Sequence, residues 1–325
     1  KIFYVYPVKI AVMGASGLLG SAVCKAVIRR GYTLLPYTNI SKLSFSEQCK
    51  AKQISISDEN QITRELFDQW PDAVINCAAI SSPDTVDQSP QLARSVNING
   101  AEKLAQISAH IGARHIHLST DMVFDGTKSP YRSTDIPNPM SEYGRQKLEA
   151  EKKVLAVTEE NLLVLRITLL NGNSPMGGRS PHEKILRALA SGFEVNLFDD
   201  EIRQPCSVEN LSDVLIELVE RPNLNGLFHW AGNEEISRYE LGVRILKRFG
   251  ISPEKIRRGS VKNFVNKKGE NRPHHLSFIL NPLSTKIRTQ PTSVDDQLEE
   301  LQIPADLYPW YREFSDDPSS YIPRF

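Results

Sequence analysis

The chain of 325 residues is long enough for one large domain or two smaller ones with a sizeable apolar core. Hydrophobic residues make up 40% and charged residues 24%, and 39 basic residues balance 39 acidic ones, which indicates no general affinity for nucleic acid or membranes. No apolar run approaches the roughly 18 residues that cross a bilayer, and the N-terminal residues do not resemble a signal peptide. The four cysteines are widely separated, which favours a cytoplasmic protein without a zinc site.

Strands and helices are predicted to alternate through the first half of the chain. The predicted strands are 8–13, 33–37, 73–76, 114–118 and 162–167, and the predicted helices are 18–30, 58–70, 91–111 and 141–157. This alternation is typical of βαβ units, so we expect an α/β fold with a doubly wound parallel (Rossmann) sheet over residues 1–170. Residues 171–325 are expected to form a smaller mixed α/β substrate lobe, with some crossing of the chain between the lobes.

A glycine-rich segment, Gly14-Ala-Ser-Gly17-Leu-Leu-Gly20, lies between the first predicted strand and the first predicted helix. Gly14 permits a tight turn, Gly17 lets a phosphate approach the backbone, and Gly20 lets the helix pack close to the sheet. The helix N-terminus then faces a pyrophosphate with free N–H groups and a partial positive charge. The predicted dinucleotide contacts in this segment are Gly14, Ser16, Gly17, Leu18, Leu19 and Gly20.

The kind of dinucleotide depends on the end of the second predicted strand. An acidic residue there would hold the 2′-hydroxyl of the adenosine ribose and repel a 2′-phosphate. No Asp or Glu occurs between positions 33 and 46, where the polar residues include Thr38, Asn39, Ser41 and Lys42. We therefore expect a preference for NADP(H), with NAD(H) also acceptable, and a cofactor contact at Thr38. Lys42 is equally well explained as a solvated loop lysine.

Tyr143 and Lys147 are four residues apart and therefore share one face of a predicted helix. A free tyrosine has a pKa of about 10, and a nearby ammonium is expected to lower that pKa. Tyr143 could then protonate a carbonyl oxygen while hydride reaches the carbon, and Thr120, at the end of a predicted strand, could hold the same oxygen. A Tyr-x-x-x-Lys pair alone indicates little, but its combination with the glycine-rich segment favours carbonyl reduction.

The chain resembles an extended short-chain dehydrogenase/reductase, and within that group the dTDP-4-dehydrorhamnose reductase family over most of its length. The resemblance is strongest in Asn76-Cys-Ala-Ala79, Val96-Asn97-Ile-Asn-Gly100, Ser119-Thr120-Asp121-Met122-Val123-Phe124-Asp125-Gly126 and Tyr143-Gly-Arg-Gln-Lys147. It implies reduction of a 4-keto deoxysugar nucleotide, with Thr120, Tyr143 and Lys147 as the catalytic set. It also implies cofactor contacts at Ser55, Ile56, Ala78, Ala79, Ile80, Ser81 and Asn97, and substrate contacts at Asp121, Arg203 and Arg272.

Three positions depart from the pattern of that family. Met122 replaces a usual Tyr, Ser55 stands where an Asp often meets the adenine, and Cys206 replaces a usual Thr. These departures concern the identity of the sugar and the base more than hydride transfer. A 4,6-dehydratase or epimerase is less favoured, because such enzymes usually hold NAD beside an acidic residue.

A further segment, Leu-Phe-His-Trp-Ala-Gly-Asn-Glu at 227–234, is similar to one in the regulatory β subunit of methionine adenosyltransferase. The alternative is therefore a regulatory protein that binds NADP(H) and a protein partner without reducing a sugar; a homodimer is also open. His115 and His117 share a strand face, but without further ligands they predict no metal site.

Overall fold

The computed structural model describes residues 8–39, 43–45, 49–263 and 272–323. Its strands in chain order are β1 (Lys9–Met13), β2 (Thr33–Thr38), β3 (Lys52–Gln53), β4 (Ala73–Asn76), β5 (Arg114–Thr120), β6 (Leu162–Ile167), β7 (Leu170–Asn171), β8 (Val195–Phe198), β9 (Ile202–Arg203), β10 (Cys206–Ser207), β11 (Gly226–Trp230), β12 (Ile236–Ser237), β13 (Ile256–Gly259) and β14 (His275–Leu276). Its α-helices are α1 (Leu18–Arg29), α2 (Glu59–Gln69), α3 (Pro83–Gln88), α4 (Pro90–Arg94), α5 (Ala101–Ile111), α6 (Glu142–Leu155), α7 (Pro181–Ala190), α8 (Val208–Val219), α9 (Arg238–Arg248), α10 (Leu283–Lys286), α11 (Val294–Glu299) and α12 (Tyr308–Phe314).

Seven parallel strands form the main sheet in the order β11-β6-β5-β4-β1-β2-β3. Buried apolar side chains of α1 and α8 pack on one face, and those of α2, α5 and α6 pack on the other. Both faces are covered because a parallel sheet is connected by crossover helices. The doubly wound Rossmann fold predicted from the sequence is thereby confirmed.

The strand order reverses at β1, which lies between β2 and β4. Such a reversal opens a crevice at the carboxyl ends of the strands, where ligands of these folds bind. The predicted helix 91–111 is divided in the structure, because a π-helical turn at Ser95–Gly100 separates α4 from α5. A Cβ on Gly100 would lie 2.7 Å from the carbonyl oxygen of Ile56, so the glycine permits close packing against that segment.

The chain beyond residue 170 supplies parts of both regions. β11 joins the main sheet next to β6, and α8 packs on α1, so the chain crosses back at this point. The remaining helices α7, α9, α11 and α12 bury a separate apolar cluster beside two small sheets, β12-β9-β14 and β13-β8. The division at residue 170 stays a prediction. No helix within the described ranges is long and apolar enough to cross a membrane.

Helix α7 was not predicted, although its start carries a recognisable signal. Ser180 and Glu183 form a capping box, and Pro181 occupies the first helical position. A capping box satisfies two of the backbone N–H groups that a helix N-terminus leaves without partners. The Ser-Pro-x-Glu pattern at 180–183 would therefore have indicated this helix.

Candidate active site

A cavity of about 770 Å³ lies at the carboxyl ends of the central strands. It collects most of the predicted site residues. Those that line it are Gly14, Ser16, Gly17, Leu18, Leu19, Gly20, Ser55, Ile56, Ala78, Ala79, Ile80, Ser81, Thr120, Tyr143 and Lys147. The glycine-rich segment and the Thr-Tyr-Lys set therefore share one cavity, although they are separated by about a hundred residues of sequence.

The glycine-rich segment has little room for side chains. Gly14 has a φ of +75°, and a Cβ there would lie 2.9 Å from the backbone of Ala78. A Cβ on Gly20 would lie 2.1 Å from the carbonyl oxygen of Gly14. Helix α1 begins at Leu18, and no described side chain caps the N–H groups of its first turn. A glycine cradle before an uncapped helix N-terminus fits the pyrophosphate of a dinucleotide.

Helix α6 brings Tyr143 and Lys147 to the end of β5, which carries Thr120. Ser141 caps the helix by accepting a hydrogen bond from the backbone N–H of Gly144 at 3.1 Å. A Cβ on Gly144 would lie 2.3 Å from the carbonyl oxygen of Met122, so this glycine lets α6 approach the turn after β5. The local sequence thus sets the depth at which Tyr143 and Lys147 lie.

The predicted effect of Lys147 on Tyr143 was wrong for this structure. Burial raises the pKa of the Tyr143 phenol above its usual value, and the nearby Asp121 carboxyl raises it further. A hydrogen bond with Thr120 acts in the opposite direction but does not prevail. The phenol therefore keeps its proton at neutral pH.

The Lys147 side chain lines the cavity and is only 2% exposed. Nζ donates a hydrogen bond to the carbonyl oxygen of Leu118 at 2.7 Å and lies 3.2 Å from Nε2 of His117. Burial lowers the pKa of Lys147 to about 8, although Glu151 and Cys77 act to raise it. The charge on this amine is consequently sensitive to small changes in its surroundings near neutral pH.

Two predicted cofactor contacts, Thr38 and Asn97, are not among the residues that line the cavity. Asn97 accepts a hydrogen bond from the Ile80 N–H at 2.9 Å and donates one to the Ile80 carbonyl at 3.1 Å. Its amide also donates to Gln146 at 3.2 Å. Asn97 therefore supports the cavity wall at Ile80, and its direct contact with the cofactor stays a prediction. Thr38 is buried at the end of β2.

The predicted substrate residues Asp121, Arg203 and Arg272 also lie outside the cavity lining. Arg203 forms a buried ion pair with Glu201 at 3.0 Å and donates to the Pro273 carbonyl at 3.0 Å. Its guanidinium is thus engaged within the protein, and the substrate contact expected at Arg203 stays a prediction. Burial raises the pKa of Asp121 to about 6, against the opposing charge of Arg203. Arg272 is exposed.

Several cavity residues were missed by the sequence analysis, and two of them are cationic. Arg179 and Lys184 lie at the start of α7, and the pKa of Lys184 is lowered by burial and by the charges of Arg238 and Arg179. The unrecognised capping box of α7 was the signal that could have located them. The other residues not assigned to the site were Ile54, Ser57, Cys77, Ser82, Pro83, Asp84, Leu92, Val96, Leu118, Ser119, Ile167, Thr168 and Leu170.

The residues after β2, on which the expected cofactor preference depends, are partly described. Asn39, which directly follows β2, lines the cavity, whereas Ser41 and Lys42 lie outside the described residues.

The histidine pair on β5 does not form a joint site. Nδ1 of His115 forms a hydrogen bond with the Ser108 hydroxyl and does not share a ligand with His117. Within the described ranges, no group of three or more His, Cys, Asp or Glu side chains is placed to hold a metal ion.

Residues 8–303 match the family described as RmlD substrate binding domain, and this span includes the sheet, the cavity and most of the second region. The chain belongs to this family. The family resemblance predicted from the sequence is thereby confirmed.

Two kinds of RmlD-family relatives are similar to this chain. Methionine adenosyltransferase 2 subunit beta from Bos taurus is 34% identical over 257 residues, which cover 77% of this chain and 74% of the relative. The dTDP-4-dehydrorhamnose reductase of Mycobacterium tuberculosis is 30% identical over 262 residues, which cover 79% of this chain and 80% of the relative. The dTDP-4-dehydrorhamnose reductase of Bacillus anthracis, solved with NADP, superposes with a TM-score of 0.77 over 91% of this chain and 97% of that chain; at 23% identity this shows the fold.

Proposed function

We propose that this chain is an NADP(H)-dependent reductase of a 4-keto deoxysugar nucleotide. The observation that supports the proposal most directly is that Thr120, Tyr143 and Lys147 line the same cavity as the glycine-rich segment. The reductase from Mycobacterium tuberculosis, at 30% identity, supports the same class of reaction. The cavity would hold a nicotinamide cofactor, whose chemistry when bound would be hydride transfer to the keto carbon.

The residues of the chain would contribute binding, orientation and a proton. The Thr120 hydroxyl accepts the Met122 N–H at 3.2 Å, which orients it at the end of β5 to hold the keto oxygen. Tyr143 transfers its phenolic proton to that oxygen as the alcohol forms. The phenol of Tyr143 is protonated at neutral pH, so the proton that it would transfer is in place before each turnover. Lys147 orients the cofactor ribose and restores the proton through the adjacent hydroxyls.

The preference for NADP(H) rests on the absence of an acidic side chain directly after β2. Asn39 occupies that place and lines the cavity, and it would not repel a 2′-phosphate. NAD(H) is the second cofactor that the same cradle would accept. A nucleotide-sugar substrate would approach from the side of Arg179 and Lys184, whose positive charges favour a diphosphate.

An NADPH-oxidation assay with dTDP-4-dehydrorhamnose tests the proposal. The wild-type protein should consume NADPH, and Tyr143→Phe should lose turnover while it still binds NADPH. Tyr32→Phe is a matched control, because the Tyr32 hydroxyl bonds to Glu220 at 2.8 Å outside the cavity. Unchanged turnover in Tyr143→Phe, or NADPH binding by the wild type without any oxidation, would contradict the reductase proposal.

A second candidate function is regulation of a methionine adenosyltransferase. It is favoured by the 34% identity to the bovine subunit beta and by the ion pair that engages Arg203, an expected substrate residue, with Glu201. This candidate predicts a stable complex with a methionine adenosyltransferase catalytic subunit and no turnover of keto-sugar nucleotides. Co-purification of the two proteins, followed by the same NADPH assay, separates the candidates.

A further inference from the structure

Several cations meet at the side of the cavity that follows β6. Arg179 and Lys184 line the cavity beside the N-terminal turn of α7, and Arg238 is the first residue of α9. Burial lowers the pKa of Lys184, and the positive charges of Arg238 and Arg179 lower it further. Both arginines therefore lie within electrostatic range of Lys184, although the group comes from two helices.

Arg238 carries a charge that the described residues compensate only in part. Its Nη1 atom is buried and has no hydrogen-bond partner among them. Burial and the charges of Arg203 and Arg272 lower the pKa of Arg238. The Glu201 carboxylate acts in the opposite direction, but it also forms an ion pair with Arg203 at 3.0 Å. A buried donor without an acceptor costs free energy, and an anionic ligand would supply that acceptor.

The backbone fixes the positions of the two arginines. Strand β12 pairs with β9 directly before α9, and the Arg238 N–H donates to the Glu201 carbonyl oxygen at 2.9 Å. The side chain of Ser237 caps the same helix. Arg179 is held in a similar way, because its N–H donates to the Glu183 carboxylate at 2.7 Å. Local hydrogen bonds thus place both residues, which limits the ordering that anion binding would require.

The order of the strands separates these cations from the glycine cradle. The cradle follows β1, and Thr120 ends β5. Thr168 and Leu170, which follow β6, line the cavity, and the neighbouring Leu169 packs on the apolar cluster to which α7 belongs. Neighbouring strands are about 4.8 Å apart, so in the order β6-β5-β4-β1 strand β6 lies roughly 5 Å from β5 and roughly 14 Å from β1. An anion beside α7 is therefore on the opposite side of Thr120 from an anion in the cradle.

We propose that Arg238 is a substrate-binding residue, which together with Lys184 and Arg179 holds the diphosphate of the nucleotide sugar. A guanidinium presents its N–H donors in a planar fork that matches phosphate oxygens, and the adjacent ammonium adds charge. In a pyranose the keto carbon C4 and the diphosphate-bearing C1 lie at opposite ends of the ring. With its keto oxygen at Thr120, the substrate therefore directs its diphosphate away from the reacting carbon. The identity of the ligand rests on the proposed function, whereas the anion site follows from the charges themselves.

Isothermal titration of the full chain, saturated with NADP⁺ so that the cradle is occupied, tests the site with dTDP, inorganic pyrophosphate and thymidine. We expect the wild type to bind dTDP, and Arg238→Gln to bind it about tenfold more weakly. An equal loss for pyrophosphate would show that the diphosphate alone is recognised, and a loss for dTDP only would assign the site to a nucleoside diphosphate. Equal dTDP affinity in the wild type and Arg238→Gln, or an equal loss for thymidine, would overturn the proposal.

Measurements of stability separate a binding role of Arg238 from a structural one. Removal of a buried charge that lacks a full partner should not destabilise the fold, so Arg238→Gln should have at least the wild-type free energy of unfolding in urea. Addition of dTDP should raise the Tm of the wild type more than that of Arg238→Gln, because the ligand binds the folded state. A clear loss of stability in Arg238→Gln would contradict the uncompensated charge assigned to this residue.

Two further variants complete the test. Arg244→Gln is the matched control, because Arg244 lies on the same helix and pairs with Glu234 at 2.8 Å, and it should keep the wild-type affinity for dTDP. Lys184→Gln should weaken dTDP binding as Arg238→Gln does, and an equal loss in Arg244→Gln would contradict the proposal. If dTDP binds through Arg238 but no NADPH is oxidised with dTDP-4-dehydrorhamnose, the reductase proposal fails and the anion site stands. Turnover with an unchanged KM in Arg238→Gln would give the reverse result.

Discussion

Glu151 and Arg166 form a bidentate ion pair in which both side chains are only 3% exposed. Nε and Nη2 of the guanidinium donate to the two carboxylate oxygens at 2.9 and 2.7 Å, and the Ser119 hydroxyl donates to the same carboxylate. The pair joins α6, which carries Tyr143 and Lys147, to β6 and to the end of β5. It therefore holds the proposed catalytic helix against the sheet.

Loss of one partner from this buried pair should be strongly destabilising, because the other charge remains without compensation. We expect Glu151→Gln to lower the free energy of unfolding by about 3 kcal/mol in urea denaturation. Glu149→Gln on the same helix is the control; Glu149 pairs with Arg94 at the surface, where such pairs contribute roughly 0–1 kcal/mol. Similar losses in the two variants would show that the buried pair does not hold α6.

Alanine substitutions at two glycines of the cradle should affect different properties, one the stability of the fold and the other cofactor binding. A Cβ on Gly20 would lie 2.1 Å from the Gly14 carbonyl, so Gly20→Ala should lower the free energy of unfolding by about 3 kcal/mol. A Cβ on Gly17 would lie 3.2 Å from the same oxygen, and its φ of −75° suits alanine, so Gly17→Ala should fold nearly as well. Its methyl group would nevertheless crowd the phosphate and weaken NADPH binding by about tenfold, or 1.4 kcal/mol.

Chemical denaturation and NADPH fluorescence titration measure these two effects separately. Full NADPH affinity in Gly17→Ala would contradict a pyrophosphate position at this loop, and wild-type stability in Gly20→Ala would contradict the tight packing of α1.

The parts of the site that depend on local sequence were predictable. The glycine cradle follows from three glycines between a strand and a helix, and the common face of Tyr143 and Lys147 follows from their four-residue spacing. The alternation of strands and helices was likewise sufficient for the doubly wound sheet, because each segment carries its own periodicity.

The parts that depend on distant segments were not predictable. Arg203 pairs with Glu201 and donates a hydrogen bond to the Pro273 carbonyl, and the second contact exists only because β9 pairs with β14. The pKa of Tyr143 rises because the folded chain buries it, and depth of burial cannot be obtained from a four-residue spacing. Neither effect has a local signature in the sequence.

The proposed preference for NADP(H) can be tested at one cavity residue. Asn39→Asp places a carboxylate directly after β2, where it would repel a 2′-phosphate and hold a ribose 2′-hydroxyl. We expect the ratio of NADP⁺ to NAD⁺ affinity to fall by at least about tenfold, or 1.4 kcal/mol, in isothermal titration. Asn60→Asp on the exposed face of α2 carries the same charge change outside the cavity and should leave the ratio unaltered. An unchanged ratio in Asn39→Asp would place the adenosine ribose elsewhere.

Asp121 should make the protein less stable as the pH rises toward neutrality. Burial raises its pKa in the folded state to about 6, whereas the unfolded chain has the ordinary value near 4. Between about pH 4 and pH 6 the folded state therefore holds a proton that the unfolded state has released, and stability falls through this window by about 3 kcal/mol. The Asp121→Asn variant has no carboxyl to titrate and should not lose stability in this way. Its free energy of unfolding, relative to that of the wild type, should therefore increase from pH 4 to pH 7 in urea denaturation.

Asp125, in the same loop, should change the stability of the protein with pH in the opposite direction. Burial alone would raise its pKa, but hydrogen bonds from Thr127, Asn138 and Tyr131 outweigh that effect and hold the pKa well below the usual range. Its stabilising contribution is therefore present above about pH 4 and is lost as the pH falls below that value. Asp125→Asn should consequently be less stable than the wild type at pH 7, and the difference should shrink in acid. Wild-type stability of Asp125→Asn at pH 7, or an Asp121→Asn advantage that does not grow from pH 4 to pH 7, would contradict the environments assigned to these two carboxylates.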